Sequence, residues 1–207
     1  MTSHPAAAFA RIVDRRAPII EPLTIVALVS LFTAWAIQPY VTHALLGQGA
    51  AAQGAAQAAL WLAGVLTPLT ALAKASAAAL ICWACAEYLG ERLSLLKLVS
   101  MFCVAETIFA LRDLTMFAVL AARGLEHVRS TGDLVVAFGL NEILHFTSAV
   151  ARVAFESWDV FSITWGLLAF WMIRALFNID RRSAAYLAAT AFAFRTLFAA
   201  ASLLYSL

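Results

Sequence analysis

Five long apolar runs separated by short charged gaps constrain this chain more than any other feature. Val160–Ile173 and Ala184–Leu207 show the pattern: both are almost wholly apolar, and the hinge between them is Asn178-Ile179-Asp180-Arg181-Arg182. A helix at a water boundary alternates apolar and polar faces. These runs are apolar all round, which calls for lipid or other such helices on every side. The composition agrees, with 64% hydrophobic and only 13% charged residues among 207. That is too apolar for a water-soluble core and shell. The expectation is an all-α polytopic membrane helical bundle, one domain over 1–207, with about five transmembrane helices and an interfacial N-terminal helix.

The expected spans are 22–40, 67–88, 98–121, 158–177 and 183–207. Residues 1–17 read as an interfacial lead-in, because Phe9, Ile12 and Val13 share a helical face and Arg11, Asp14 and Arg15 lie largely elsewhere. Pro18 and Pro22 bracket the start of the first span, where proline is tolerated. Val41–Val65 is rich in Ala, Gly and Gln without a charge and reads as a helical, partly interfacial connection into a span with Pro68 near its start. Residues 122–156 form the longest polar connection, with its clearest turn at Ser130-Thr131-Gly132-Asp133. No basic segment precedes an apolar core at the start, so no cleavable signal peptide is expected.

Basic residues set an orientation. Arg11, Arg15, Arg16, Arg92, Lys97, Arg174, Arg181 and Arg182 flank one side, and Arg123, Arg129 and Arg152 the other. The N-terminus is therefore expected in the cytoplasm and the C-terminus outside, in a bacterial inner membrane. Tyr40, Trp61, Trp158 and Tyr205 would mark the outer boundary. A net charge of +2, with dispersed basic residues, gives no nucleic-acid surface.

The costly residues lie inside the runs. A charge at the centre of a bilayer costs about 2.5–3.5 kcal/mol even on lenient scales. Glu106, Arg112 and Asp113 fall in the third span, Arg195 in the fifth and Lys74 in the second. Counting about 1.5 Å per residue, Glu106 reaches mid-depth, and Arg112, Asp113, Arg195 and Lys74 share the outer half. Glu106 and Asp113 are two turns apart on one face. The expectation is a buried polar cluster pairing Asp113 and Glu106 with Arg195, Arg112 or Lys74. Such pairs fix helix register, or they line a proton or ion pathway.

Glu142-Ile-Leu-His145 places a carboxylate and an imidazole on one helical face, as di-metal bundles do. Those sites need a second such motif, and Glu126, His127, Glu156 and Asp159 do not supply the spacing. Glu142 and His145 are thus weak metal candidates. Cys82-Trp-Ala-Cys85 is formally C-x-x-C, but it falls in an apolar helix, and Cys82, Cys85 and Cys103 read as packing residues. No G-x-S-x-G, H-E-x-x-H or P-loop occurs, and no catalytic residue or cofactor is assigned. Ala184, Ala188, Ala191 and Ala199 suit close helix packing in the last span.

The order of these features resembles the bacterial members of the Yip1 family. The residues that carry it are His4-Pro5-Ala-Ala-Ala-Phe9-Ala-Arg11-Ile12 with Pro18 and Pro22, then Leu66-Thr67-Pro68-Leu69, then Gly90-Glu-Arg-Leu-Ser-Leu-Leu-Lys97. Trp158-Asp159-Val-Phe161-Ser-Ile-Thr-Trp165 and Arg181-Arg182-Ser-Ala-Ala complete it. Leu168-Ala-Phe-Trp171 departs from the glycine that many members carry midway along the fourth span. The resemblance implies a five-helix membrane domain with a cytoplasmic N-terminus and no catalytic residues. The vesicle-trafficking role of eukaryotic relatives does not carry over to a bacterium. The expected function is a non-enzymatic membrane protein that organises or binds other membrane components, with the bilayer and a membrane-protein partner or homo-oligomer as its contacts. Two other classes stand beside it: a transporter or channel using Glu106 and Asp113, and a metal-dependent membrane enzyme around Glu142 and His145.

Overall fold

The computed structural model describes residues 17–46, 48–134 and 158–204. Among them are five α-helices: α1 (Ile20–Ala44), α2 (Ala50–Tyr88), α3 (Leu95–Arg123), α4 (Val160–Phe177) and α5 (Arg181–Leu204). Two short 3₁₀ turns, Leu125–His127 and Thr131–Leu134, follow α3. All but the last residue of the expected lead-in 1–17 and most of the 122–156 connection lie outside the described residues, as do Glu142 and His145.

Three helices, α1, α2 and α4, are long and apolar enough to cross a membrane. Five were expected from the apolar runs; among the described residues α3 and α5 do not meet that measure. In α3 the cause is charge: Lys97, Glu106, Arg112, Asp113 and Arg123 put several charged residues in every membrane-length stretch. In α5, Arg181 and Arg182 stand at the start and Arg195 within.

In α2 the structure joins two elements that were expected separately. Its 39 residues run unbroken through Pro68, so the Ala-, Gly- and Gln-rich connection belongs, from Ala50 on, to the same helix as the expected second span. Alanine supplies the helix propensity that the pattern lacks in amphipathicity. At 1.5 Å per residue, α2 is about 58 Å long, roughly twice a hydrocarbon layer of about 30 Å.

A proline inside a helix leaves the carbonyl four residues earlier without its N–H. Here that carbonyl is Gly64 O, and the Ser30 hydroxyl of α1 donates to it across 2.9 Å. The same hydroxyl lies 3.0 Å from Ala27 O in its own helix. Gly64 permits the approach: a Cβ there would sit 3.2 Å from the Ala34 Cβ. Above this point Gln57 Nε2 donates to Thr42 Oγ1 at 3.1 Å, so the α1–α2 hairpin is pinned at two levels. Ser30→Ala should cost about 1–3 kcal/mol, the penalty of a buried unsatisfied acceptor. In a Pro68→Ala background, which restores the backbone N–H, the same substitution should cost much less. Equal losses in the two backgrounds, by denaturant titration, would refute the assignment.

Helices α2, α3, α4 and α5 pack in a ring, each on the next and α5 back on α2, while α1 seats against α2 and α3. The interior is built from small residues. Ala75, Ala78, Ala79, Cys82 and Ala86 of α2 face Ala184, Ala188 and Ala191 of α5, with Leu98–Ala105 of α3 and Trp165, Ala169 and Met172 of α4 closing the core. Cys82 Sγ donates to Leu187 O at 3.3 Å, as a packing residue. The exterior is the reverse: Ile25, Leu28, Phe32, Trp35, Leu62, Leu69, Leu80, Leu167 and Leu197 point outward. Small side chains inside let backbones approach, and large apolar ones outside suit a lipid solvent.

The connections define two ends. At one, Gly90 in a left-handed conformation (φ 78°) closes α2, and Leu93 packs in one cluster with Phe177 and Ile179. The Pro18 carbonyl accepts from Ser100 Oγ at 2.8 Å near the same end of α3. Arg92, Lys97, Arg174, Arg181 and Arg182 gather there. At the other end His43 Nδ1 meets Val128 O at 2.8 Å, near Arg123 and Arg129.

Asp180 starts α5 by accepting from the backbone N–H groups of Arg182 (2.8 Å) and Ser183 (3.2 Å). The Ser183 hydroxyl first, then these two N–H groups, hold its carboxyl below the ordinary value of 3.8. A depressed carboxylate contributes above its unfolded pKa and loses that contribution as pH falls through the lower folded value. The first turn of α5 should therefore fray as pH drops below about 3.8 and in Asp180→Ala at any pH. Amide exchange at Ser183 and Ala184 reads both; unchanged protection in the variant would refute the cap.

Candidate functional site

The charged residues gather in the middle of the ring, built from the central part of α3, the start of α4 and the interiors of α2 and α5. Glu106 and Arg195 form the centre. Arg195 Nη1 donates to Glu106 Oε1 across 89 residues of chain, with Glu106 only 4% exposed and Arg195 19%. The guanidinium also lies over two aromatic rings, 3.9 Å from the Phe109 centroid and 5.1 Å from that of Trp165. A desolvated cation over ring faces gains attraction that water would otherwise screen. Trp165 is itself fully buried and stacks on Phe102 at 5.4 Å and 21°. Its indole N–H is near enough to Glu106 for a loose hydrogen bond but makes no well-formed one.

Arg112 does not join that centre. Its Nε lies 3.2 Å from Asp159 Oδ2. Asp159 is 2% exposed and also caps α4, accepting from Ser162 N at 2.6 Å. The sequence placed Asp159 only as a helper for a metal; its position just before the apolar run from Val160 was the available signal for a cap. Asp113, expected to pair directly, has no ion pair among the described residues. It is half-buried, with Arg112 and Lys74 within electrostatic reach. The structure thus brings Glu106 and Arg195 together, and separates Arg112 into a second bridge.

Lys74 stands apart in another way. It lines a cavity of about 540 Å³ between α2, α4 and α5, together with Thr70, Ala77, Trp165, Arg195 and Phe198. Glu106 does not line it, whereas its ion-pair partner Arg195 does. Among the described residues no three His, Cys, Asp or Glu side chains converge as a metal site would need. The Glu142 and His145 pair lies outside the described residues.

The chain is therefore an all-α helical bundle with three helices fit to cross a membrane and a layer of inter-helix ion pairs. Set against known protein families, characterised proteins and solved structures, it matches none of them.

Proposed function

We propose that this chain is a five-span, non-enzymatic inner-membrane protein of the Yip1 type that organises or binds other membrane components. The N-terminus lies in the cytoplasm and the C-terminus outside. The observation that carries the span count is packing order. Helix α4 packs chiefly on α3 and α5, and α1 on α2 and α3. If α1, α2 and α4 cross the bilayer side by side, the helices between them cross too. Mutual neutralisation of Glu106 and Arg195, one on each charged helix, lowers the cost of their doing so. The basic residues clustered at the Gly90 and Asp180 end support the orientation.

The same pairs support a binding role over transport. Glu106 and Asp159 are each held by an arginine of another helix, and Glu106 does not line the cavity. Bridges of this kind fix register. Reporter fusions after Gly90 and Asp180 should read cytoplasmic, and fusions after Gln53 and Ser130 should read external. Proteoliposomes of the purified chain should show no ion flux above empty liposomes. Flux that disappears in Glu106→Gln would replace the binding reading with a transport one, and same-side reporters at Asp180 and Ser130 would remove the five-span arrangement.

A further inference from the structure

The cavity between α2 and α5 is unusual in its chemistry. Among the described residues its cationic side chains are Lys74 and Arg195, and no carboxylate lines it. Arg195 has five N–H donors. Nη1 is given to Glu106, and the others have no hydrogen-bond partner among the described residues. Lys74 forms no ion pair among them either, although Glu106 and Asp113 act on it through space. Lys74 is exposed and Arg195 half-buried, so both are open to an acceptor brought from outside, and charge-assisted contacts made there are favourable.

The walls say what kind of acceptor fits. Ala77 and Phe198 line the cavity, and Leu69 and Leu197 are exposed beside the lining residues Thr70 and Phe198. The opening is thus set in the apolar exterior of the bundle. A volume of about 540 Å³ falls within the roughly 300–1,000 Å³ of small-ligand sites. Charge and surroundings together select an anion attached to an acyl chain over a free ion in water. We propose that this cavity is a binding site for an anionic amphiphile, whose phosphate or carboxylate meets Lys74 and the free N–H groups of Arg195 while its acyl chain follows the Leu69–Leu197 side. This rests on the reading of the chain as a membrane component that binds other membrane components, and it names the ligand class.

Native mass spectrometry of the full chain in mild detergent tests it. The probes are phosphatidylglycerol, oleate, phosphatidylethanolamine and inorganic phosphate. One phosphatidylglycerol or one oleate per chain should be retained about tenfold better than phosphatidylethanolamine, the scale of one charge-assisted contact. The better of the two separates a phosphate from a carboxylate ligand. Lys74→Gln should lower retention about tenfold, by the same reckoning. Ala77→Phe, which keeps both charges and fills the space, should abolish it, while Arg92→Gln at the far end should change nothing. Equal retention of anionic and zwitterionic lipid by the wild-type chain would overturn the site whatever the variants do. So would wild-type binding by folded Lys74→Gln and Ala77→Phe proteins, or binding of inorganic phosphate as tight as that of the amphiphiles. Reporter topology and ion flux are read separately. A chain that spans five times without flux, and shows no lipid preference, loses this site alone.

Discussion

Arg195→Ala is expected to destabilise the bundle by about 3–5 kcal/mol, the range for stranding one partner of a buried ion pair. Glu106 is the more buried partner, so removal of the arginine leaves its charge with no direct counter-ion in the apolar interior. The two aromatic rings under the guanidinium lose their cation at the same time. Replacing both partners by methionine should cost far less, because a buried pair repays its own desolvation only in part. Unfolding of the purified protein in mixed micelles gives both values. A single variant as stable as the double one would show that the bridge carries no structural weight.

Trp165→Ala should be nearly as damaging. The side chain is fully buried, stacks on Phe102, underlies Arg195 and forms one wall of the Lys74 cavity. Large-to-alanine core changes of this kind cost about 3–5 kcal/mol in water-soluble proteins. In a bilayer the transfer part shrinks, since lipid is as apolar as the core. The cavity and the lost ring contacts remain, so roughly 2–4 kcal/mol is expected. Trp165→Phe should recover most of it, because the indole N–H has no well-formed bond to lose. If the phenylalanine variant unfolds as readily as the alanine one, the N–H rather than the ring supports the site.

The pairing of Glu106 with Arg195 was legible in the sequence only as one of several options, because counting put Glu106 at mid-depth and Arg195 in the outer half with Arg112, Asp113 and Lys74. The Arg112–Asp159 bridge was not. Asp159 falls at the boundary of its apolar run, where a carboxylate is ordinarily solvated, and its burial depends on α3 lying beside the start of α4. The continuity of α2 was hidden for another reason. Alanine, glycine and glutamine give no amphipathic period, and Pro68 reads as a helix start. Only the hairpin register reveals Ser30 beside the carbonyl that the proline leaves open. The cavity was illegible too, since alanines line it and a space is made by what they lack. Charge in the third run was visible throughout, and it is what removes α3 from the helices that qualify on composition.

The length of α2 has a mechanical consequence. From Lys74 to its first residue, Ala50, the helix extends about 36 Å at 1.5 Å per residue. It is bolted to α1 where Ser30 meets Gly64, partway along that arm. Gln57 ties the same arm to Thr42 farther along, so α1 and this half of α2 are clamped into one stiff unit, and the helix that walls the Lys74 cavity is anchored well away from it.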